Sequence, residues 1–262
     1  MRTITRKDSQ TSTEITIHYE VIGKGKPAIV FHHGNGNRIK DWHTLGYVDA
    51  LQKDFQLVLI DSRGYGQSSK PHDPKEYSIK SRADDTIAVL DNESIHTACC
   101  LGGSVGGAMC LLLAKFYPNR FNSYIFATPY FTLFPEELKI ALTHGIEAFL
   151  KKLEELIGNR FNDAAVRSSI LSNDAAAFWA ANSSEWFNYR DFIPYVKAPS
   201  LIYVGSKEPS VQEMTDFSKS LNQSSGFKSQ LHIFPDMDHA EVYWSGATVA
   251  PVIKNFLQKF AL

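Results

Sequence analysis

A serine flanked by glycines is the first group in this sequence that could do covalent chemistry. Residues 102–106 read Gly-Gly-Ser-Val-Gly, with an apolar run before them and a helical pattern after them. A sharp strand-to-helix turn of this form can hold a serine Oγ exposed, because small neighbours let the two elements approach closely. The helix N-terminus also favours negative charge developing nearby. We therefore predict that Ser104 is a nucleophile, the alternative being a plain glycine-rich turn.

A serine hydroxyl needs a base to accept its proton, and histidine is the usual one. Of the nine histidines, His239 directly follows the last strand pattern and precedes the final helical pattern. His18, His96 and His232 border or lie within strand patterns, which favours structural roles. We predict that His239 is the base, the alternative being a loop histidine that caps the following helix.

The base in turn needs a carboxylate that orients it. Glu208 is the only acid in the loop that follows the penultimate strand pattern. Asp236 and Asp238 lie in the same loop as His239, and from there a carboxylate would have little room to reach Nδ1 of the His239 ring. Asp61 precedes a turn-forming segment, which favours a role in stabilising that turn. We predict Glu208 as the acid, which gives the chain order Ser, Glu, His. The alternative is a solvated surface glutamate, with the acid supplied elsewhere.

Acyl transfer also needs donors for a developing oxyanion. The backbone N–H of Val105, next to the serine, is one candidate. The second is the N–H of Asn35, in the segment His-His-Gly-Asn-Gly-Asn that leaves an earlier strand pattern. His33, in the same segment, is interpreted as a hydrogen-bonded packing residue that shapes this loop.

The elements that must position these residues alternate between strand and helix. Strand patterns occupy two runs within 13–34, separated by a turn at 23–25, and then 55–64, 96–103, 122–129, 199–206 and 229–236. Helical patterns lie between them at 41–53, 79–92, 104–117, 210–222 and 246–260. This alternation predicts a mostly parallel sheet with helices on both faces. Ligands in such sheets bind beyond the carboxyl ends of the strands, where the candidate residues lie.

One stretch interrupts the alternation, because residues 130–194 show helical segments rich in aromatic residues and no clear strand. We interpret 130–194 as a helical cap over the strand ends, with a core domain formed by 1–129 and 195–262. A cap of this kind suggests an apolar substrate pocket. The candidate binding residues are Trp42, Phe131, Trp179 and Trp186. The alternative is that the cap aromatics only form the cap's own core.

Composition excludes several other classes of protein. The 262 residues carry a net charge of −1, so no global field attracts nucleic acid or an anionic membrane. No apolar run is long enough to span a bilayer, and the polar N-terminus has no signal-peptide pattern. The three cysteines lie in apolar runs and are expected to be buried thiols, consistent with a cytoplasmic location. No metal or cofactor is expected, and no pattern indicates an oligomeric state.

Together these segments resemble the α/β-hydrolase family. Five features stand in the family's order: His33-Gly34 with Trp42 downstream, Asp-Ser-Arg-Gly-Tyr-Gly-Gln-Ser-Ser-Lys-Pro at 61–71, the turn at Ser104, Gly-Ser-Lys-Glu-Pro-Ser-Val at 205–211, and Asp-His-Ala-Glu at 238–241. The resemblance implies an eight-stranded, mostly parallel sheet, a small helical cap after strand six, and the same three reacting residues.

Two positions depart from the family's pattern. Glu208 stands where aspartate is commoner, and Gly103 stands where a larger residue often precedes the nucleophile. Relatives with an aspartate nucleophile, the dehalogenases and epoxide hydrolases, are disfavoured by Ser104.

The sequence therefore predicts a cofactor-independent serine hydrolase that cleaves a small, fairly apolar ester, thioester or lactone through an acyl-enzyme. The expected partner is a small-molecule substrate. One alternative is a ligand-sensing or interaction protein with little turnover on the same fold. Another is an acyltransferase or perhydrolase that uses the same three residues.

Overall fold

A computed structural model describes residues 2–25, 27–131, 136–157, 164–224 and 226–260. They form a single eight-stranded sheet with the strand order β1-β2-β4-β3-β5-β6-β7-β8. The strands are β1 Arg2–Lys7, β2 Glu14–Ile22, β3 Ala28–His32, β4 Gln56–Ile60, β5 Ala98–Gly103, β6 Phe121–Ala127, β7 Ser200–Gly205 and β8 Ser229–Phe234. Strands β3 to β8 run parallel to one another, whereas β2 pairs antiparallel with both β1 and β4. This is the mostly parallel, eight-stranded architecture that the resemblance to the α/β-hydrolase family implies.

Eleven α-helices occur in the described residues. They are α1 Ile39–Thr44, α2 Tyr47–Leu51, α3 Ile79–Asn92, α4 Gly106–Phe116, α5 Glu136–Thr143, α6 Ile146–Ile157, α7 Ala164–Leu171, α8 Ala175–Ser183, α9 Val211–Ser224, α10 His239–Tyr243 and α11 Gly246–Phe260. Short 3₁₀ helices lie at Pro74–Tyr77, Pro118–Arg120 and Tyr189–Tyr195. None of these helices is long and apolar enough to cross a membrane, as far as the described part of the chain extends.

The sheet separates two hydrophobic cores because successive side chains of a strand point to opposite faces. In β5, Cys100 belongs to the core that includes helices α3, α4 and α9, and Cys99 belongs to the core that includes α1, α2 and α11. Both thiols are free and buried, as expected from their apolar surroundings. With both faces covered, the functional groups of the strand ends collect at one edge of the sheet.

Helices α5 to α8 are inserted between β6 and β7 and are called the cap helices here. Their buried side chains form a third cluster, which also includes Tyr65 and Tyr77 of the core segments that follow β4. Residues 132–135 and 158–163 of the predicted cap lie outside the described residues, Phe134 and Phe161 among them. The division into a core of 1–129 and 195–262 and a cap of 130–194 stays a prediction.

Two local elements differ from the sequence patterns. The N-terminal residues, interpreted only as a polar segment, form the edge strand β1, whose side chains are mostly exposed and therefore lack an apolar signature. The helix predicted over 41–53 is two short helices, because Gly46 adopts a φ of 79° that breaks the run.

Candidate active site

Ser104 occupies the sharp turn between β5 and α4. Its φ of 52° lies in the left-handed region, which costs a non-glycine residue roughly 1–3 kcal/mol and is common at functional sites. A Cβ on Gly102 would lie only 2.1 Å from the carbonyl oxygen of Gly106, so no larger residue fits where strand and helix meet. The Gly-x-Ser-x-Gly pattern therefore arises from close packing, and it leaves Ser104 on the wall of a cavity.

His239 is the first residue of α10, immediately after the loop that follows β8. The preceding Asp238 accepts a hydrogen bond from the Glu241 N–H, and the Glu241 carboxylate accepts one from the Asp238 N–H. This capping box fixes the start of α10 and uses Asp238 as a helix cap. The loop acid closest in sequence to His239 therefore has a structural role.

The three predicted residues meet in one hydrogen-bonded chain. His239 Nδ1 lies 2.6 Å from Oε1 of Glu208, and His239 Nε2 lies 3.2 Å from Oγ of Ser104. A carboxylate can only accept a hydrogen bond, so Nδ1 carries the proton and Nε2 is left free to accept from the serine hydroxyl. Glu208 is 7% exposed, which shields this interaction from water.

Asp61, the other acid considered at a strand end, is occupied elsewhere. Its carboxylate lies 2.8 Å from His18 Nδ1 and accepts hydrogen bonds from the N–H groups of Ile39 and Gln67. Asp61 is 2% exposed. It therefore stabilises the turns that follow β3 and β4, as its sequence context indicates.

The proposed oxyanion donors lie next to the serine. Val105 precedes the first residue of α4, and both Val105 and Asn35 line the cavity that contains Ser104. Among the described residues, neither backbone N–H donates a hydrogen bond. Two unpaired N–H groups and a helix N-terminus beside a nucleophile can stabilise a developing negative charge.

His33 shapes the loop that carries Asn35. Its Nε2 accepts a hydrogen bond from the Ser62 N–H at 3.1 Å, so its Nδ1 donates to the carbonyl of Gly34 at 2.8 Å. Burial lowers the pKa of His33, which keeps the ring neutral and this tautomer in place. These contacts agree with the interpretation of His33 as a packing residue.

A cavity of about 230 Å³ lies between the strand ends and the cap helices. The lower wall includes the three candidate reacting residues, Asn35 and Val105. The cap side is apolar and is formed by Leu138, Phe149, Leu150, Leu153, Val166, Ile170 and Phe178. Among the described residues that line it, none is a lysine or arginine, and Glu208 is the only acid. The cavity therefore suits an uncharged, apolar group.

A second, smaller cavity of about 60 Å³ lies on the other side of Asn35 and Val105, which line both cavities. Its walls are more polar and include Tyr65, Arg82 and Asn182.

Of the four predicted binding residues, only Trp186 lines either cavity, and it faces the smaller one. Trp42 is 1% exposed and packs in the core against Phe31, Tyr47 and Tyr243.

Phe131 is also buried in the core, and Trp179 packs against the cap's own cluster. Trp42, Phe131 and Trp179 therefore line neither of these two cavities. Residue type alone does not indicate which face of an element a side chain occupies. The alternative interpretation, in which the cap aromatics form the cap's own core, agrees with the position of Trp179, whereas Phe131 packs in the core beside the sheet.

Sequence reasoning missed three residues of this region: Tyr65, Asn182 and Tyr243. Tyr243 follows His239 by four residues, one helical turn, and that spacing is a signal that could have found it. Tyr65 and Asn182 depend on the position of α8 over the core, which no sequence pattern shows.

Comparison with known proteins agrees with this architecture. Residues 27–144 match the family model described as the alpha/beta hydrolase fold. A 3-oxoadipate enol-lactonase of Acinetobacter baylyi is 33% identical over 122 residues, which are 46% of this chain and 44% of that protein. A 2-hydroxy-6-oxononadienedioate/2-hydroxy-6-oxononatrienedioate hydrolase of Paraburkholderia phymatum is 27% identical, with 78% of this chain and 81% of that protein covered. The first of these alignments thus spans less than half of its relative's length.

Among solved structures, a thermophilic esterase from Thermogutta terrifontis superposes with a TM-score of 0.81. It is 21% identical, and the match covers 99% of both chains. The sheet order, the turn at Ser104 and these matches agree, and the chain has the α/β-hydrolase fold.

Proposed function

We propose that this protein is a serine hydrolase that cleaves a small, uncharged and fairly apolar carboxylic ester, thioester or lactone. The observation that carries the proposal is the hydrogen-bonded chain from Glu208 through His239 to Ser104 at the wall of an apolar cavity. Such a chain activates a hydroxyl that is otherwise a weak nucleophile.

In the first half-reaction, Ser104 Oγ attacks the carbonyl carbon while His239 Nε2 takes its proton. The carbonyl oxygen becomes an oxyanion, held by the N–H groups of Val105 and Asn35. The tetrahedral intermediate then expels the alcohol or thiol, which receives the proton from His239, and an ester of Ser104 remains. Glu208 holds the ring of His239 and stabilises its imidazolium form.

In the second half-reaction, water replaces the leaving group. His239 takes a proton from the water as it attacks the acyl carbon. The acid is released, and the proton returns to Ser104. A peroxide or an alcohol in place of water would give a peracid or a new ester by the same steps.

The cavity indicates the part of the substrate that the cap covers. The cap helices contribute only apolar side chains to its lining among the described residues, and a buried carboxylate on the substrate would find no cationic partner there. We therefore assign the apolar acyl group, or the ring of a lactone, to this side.

The comparisons support hydrolysis of small molecules as the reaction class. The relatives above are named as a 3-oxoadipate enol-lactonase and as a 2-hydroxy-6-oxononadienedioate/2-hydroxy-6-oxononatrienedioate hydrolase. We infer hydrolase activity from the two sequence relatives; the structural match supports only the fold.

A fluorophosphonate probe tests the activated serine. Intact-mass analysis of the wild type should show a single phosphonyl adduct, and the adduct should disappear in Ser104→Ala. Wild type that is folded yet takes up no probe, and hydrolyses no ester from a panel graded by acyl length, would contradict the proposal. A small molecule that stays bound without turnover would then favour the ligand-sensing alternative.

A further inference from the structure

The oxyanion loop, residues 33–37 after β3, is attached to the cap by side-chain hydrogen bonds. The side-chain Oδ1 of Asn35 accepts a hydrogen bond of 2.6 Å from the Tyr65 hydroxyl. It also lies 3.4 Å from Nδ2 of Asn182, which belongs to cap helix α8. One asparagine of the loop thus contacts both the segment after β4 and the cap.

Both partners of Asn35 are themselves held in place. Asn182 Nδ2 donates to the carbonyl of Phe178 at 2.7 Å, one turn earlier in α8, and lies 3.3 Å from the Tyr65 oxygen. Tyr65 is 7% exposed, and burial raises its pKa to about 12, so its hydroxyl stays protonated and can donate. Three polar side chains therefore share one local network.

A second bond joins the same loop to the cap. Asn173, between α7 and α8, donates from Nδ2 to the carbonyl of Gly36 at 2.9 Å. Contacts to two adjacent residues, Asn35 and Gly36, restrict both the position and the rotation of this part of the loop. The N–H of Asn35, assigned above to the oxyanion, lies in this restrained segment.

We propose that Asn182, acting with Tyr65, is a positioning residue that aims the Asn35 N–H at the oxyanion. The proposal rests on the proposed serine hydrolysis and adds a role for a cap residue that contacts neither Ser104 nor His239 by hydrogen bond. Stabilisation of an oxyanion depends on preorganised hydrogen-bond donors, and a small displacement of a donor lowers the reaction rate strongly. The cap would thus contribute to the chemical step as well as to the substrate cavity.

The test compares Asn182→Ala and Tyr65→Phe with Asn188→Ala. Asn188 is an exposed residue on the same inserted segment whose side chain only caps a 3₁₀ helix, so it is a matched control. Tyr65→Phe keeps the ring and its packing against His33 and Phe178. Three quantities are measured for each variant: kcat, KM, and the inhibition constant of a trifluoromethyl ketone, which adds to the serine and forms an oxyanion.

We expect kcat to fall about ten- to a hundredfold in Asn182→Ala and Tyr65→Phe, with KM nearly unchanged. The ketone should bind weaker by a factor similar to the loss in kcat/KM, whereas Asn188→Ala should match the wild type in all three quantities. A loss of kcat with unchanged ketone affinity would overturn the positioning role, as would wild-type values in both variants.

Failure of the two proposals can be told apart with Ser104→Ala in the same assays. Turnover that survives in Ser104→Ala contradicts the serine mechanism itself. If turnover is lost in Ser104→Ala but is unchanged in Asn182→Ala and Tyr65→Phe, only the positioning role is contradicted.

Discussion

The ring of Tyr243 occupies the space that a side chain at Gly103 would need. A Cβ at position 103 would lie 2.2 Å from Cε2 of Tyr243. The hydroxyl of the same tyrosine accepts a hydrogen bond of 2.9 Å from the Gly34 N–H in the oxyanion loop. Tyr243 thus joins Gly103, the residue before Ser104, to that loop, and its position explains why no larger residue fits there.

Gly103→Ala should therefore force the Tyr243 ring to move. We expect the free energy of unfolding to fall by about 1–3 kcal/mol, as for other overpacked sites, and kcat/KM to fall with it. Denaturant unfolding and ester hydrolysis measure the two effects. In a Tyr243→Leu variant, which lacks the ring, Gly103→Ala should lower the free energy of unfolding much less. An equal loss of unfolding free energy from Gly103→Ala with and without the Tyr243 ring would show that the ring does not exclude a side chain at position 103.

Glu208 should act on rate through His239. We expect Glu208→Gln to lower kcat by about three to four orders of magnitude, because an amide cannot hold and stabilise the imidazolium as a carboxylate does. Glu208→Asp, which keeps the charge on a shorter side chain, should lose less. Steady-state hydrolysis measures both, with Asp216→Asn, an exposed acid of α9, as the control. Near-normal turnover in Glu208→Gln would assign the acid role to another residue.

Leu153 should limit the length of the acyl group. It lines the cap side of the larger cavity, so the bulkier side chain of Leu153→Phe takes up part of the 230 Å³. We expect the preference in kcat/KM to shift to shorter acyl chains, by about tenfold for the longest chain that the wild type accepts. Ile140→Phe, at a 55% exposed position of α5 outside the cavity lining, is the control. An unchanged chain-length profile would place the acyl group elsewhere.

Asp8 should make stability depend on pH in the acid range. Burial opposes its ionisation, but hydrogen bonds from the Gln10 N–H, the Ser81 hydroxyl and Arg63 prevail and lower its pKa to about 2. When the pKa of a carboxyl group is lower in the folded protein than in the unfolded chain, its ionised form stabilises the fold. This stabilisation is complete at pH values above the pKa of the unfolded chain, and it is lost as the pH falls towards the pKa of the folded protein. It amounts to about 1–2 kcal/mol at pH 7.

Asp8→Asn should therefore be less stable than the wild type at neutral pH, and the gap should narrow as the pH falls from about 4 to about 2. Thermal unfolding across that range measures the gap. Asp49→Asn, at an exposed position of α2, should show no such convergence. A constant gap for Asp8→Asn would mean that the charge of Asp8 does not stabilise the fold.

The sequence predicts the meeting of the three candidate reacting residues better than it predicts the pocket, for a physical reason. Ser104, Glu208 and His239 each follow a parallel strand, and parallel topology brings such strand ends to one edge. The order of these three residues along the chain and the chemistry of their side chains are therefore enough to predict that they lie close together. For Trp42 and Phe131, no such rule indicates which side of an element faces the ligand, and both are buried in the core.

Buried apolar runs predict the strands of the sheet except β1, which contains no such run. Strand β1, Arg2–Lys7, lies at the edge of the sheet. Its side chains are exposed or only partly buried, and five of its six residues are polar or charged. The network of Asn35, Tyr65 and Asn182 depends on how the cap packs over the core. That packing is a tertiary property, and no local period in the sequence encodes it.

Rapid-quench mass spectrometry can detect the proposed acyl-enzyme on Ser104. The wild type is mixed with an activated ester of a short apolar acid, quenched in acid within milliseconds and analysed as intact protein and as peptides. We expect a mass increase equal to the acyl group on the peptide that contains Ser104, and no increase in Ser104→Ala. Turnover of the ester without an adduct on that peptide, or turnover that persists in Ser104→Ala, would contradict the proposed acyl-enzyme.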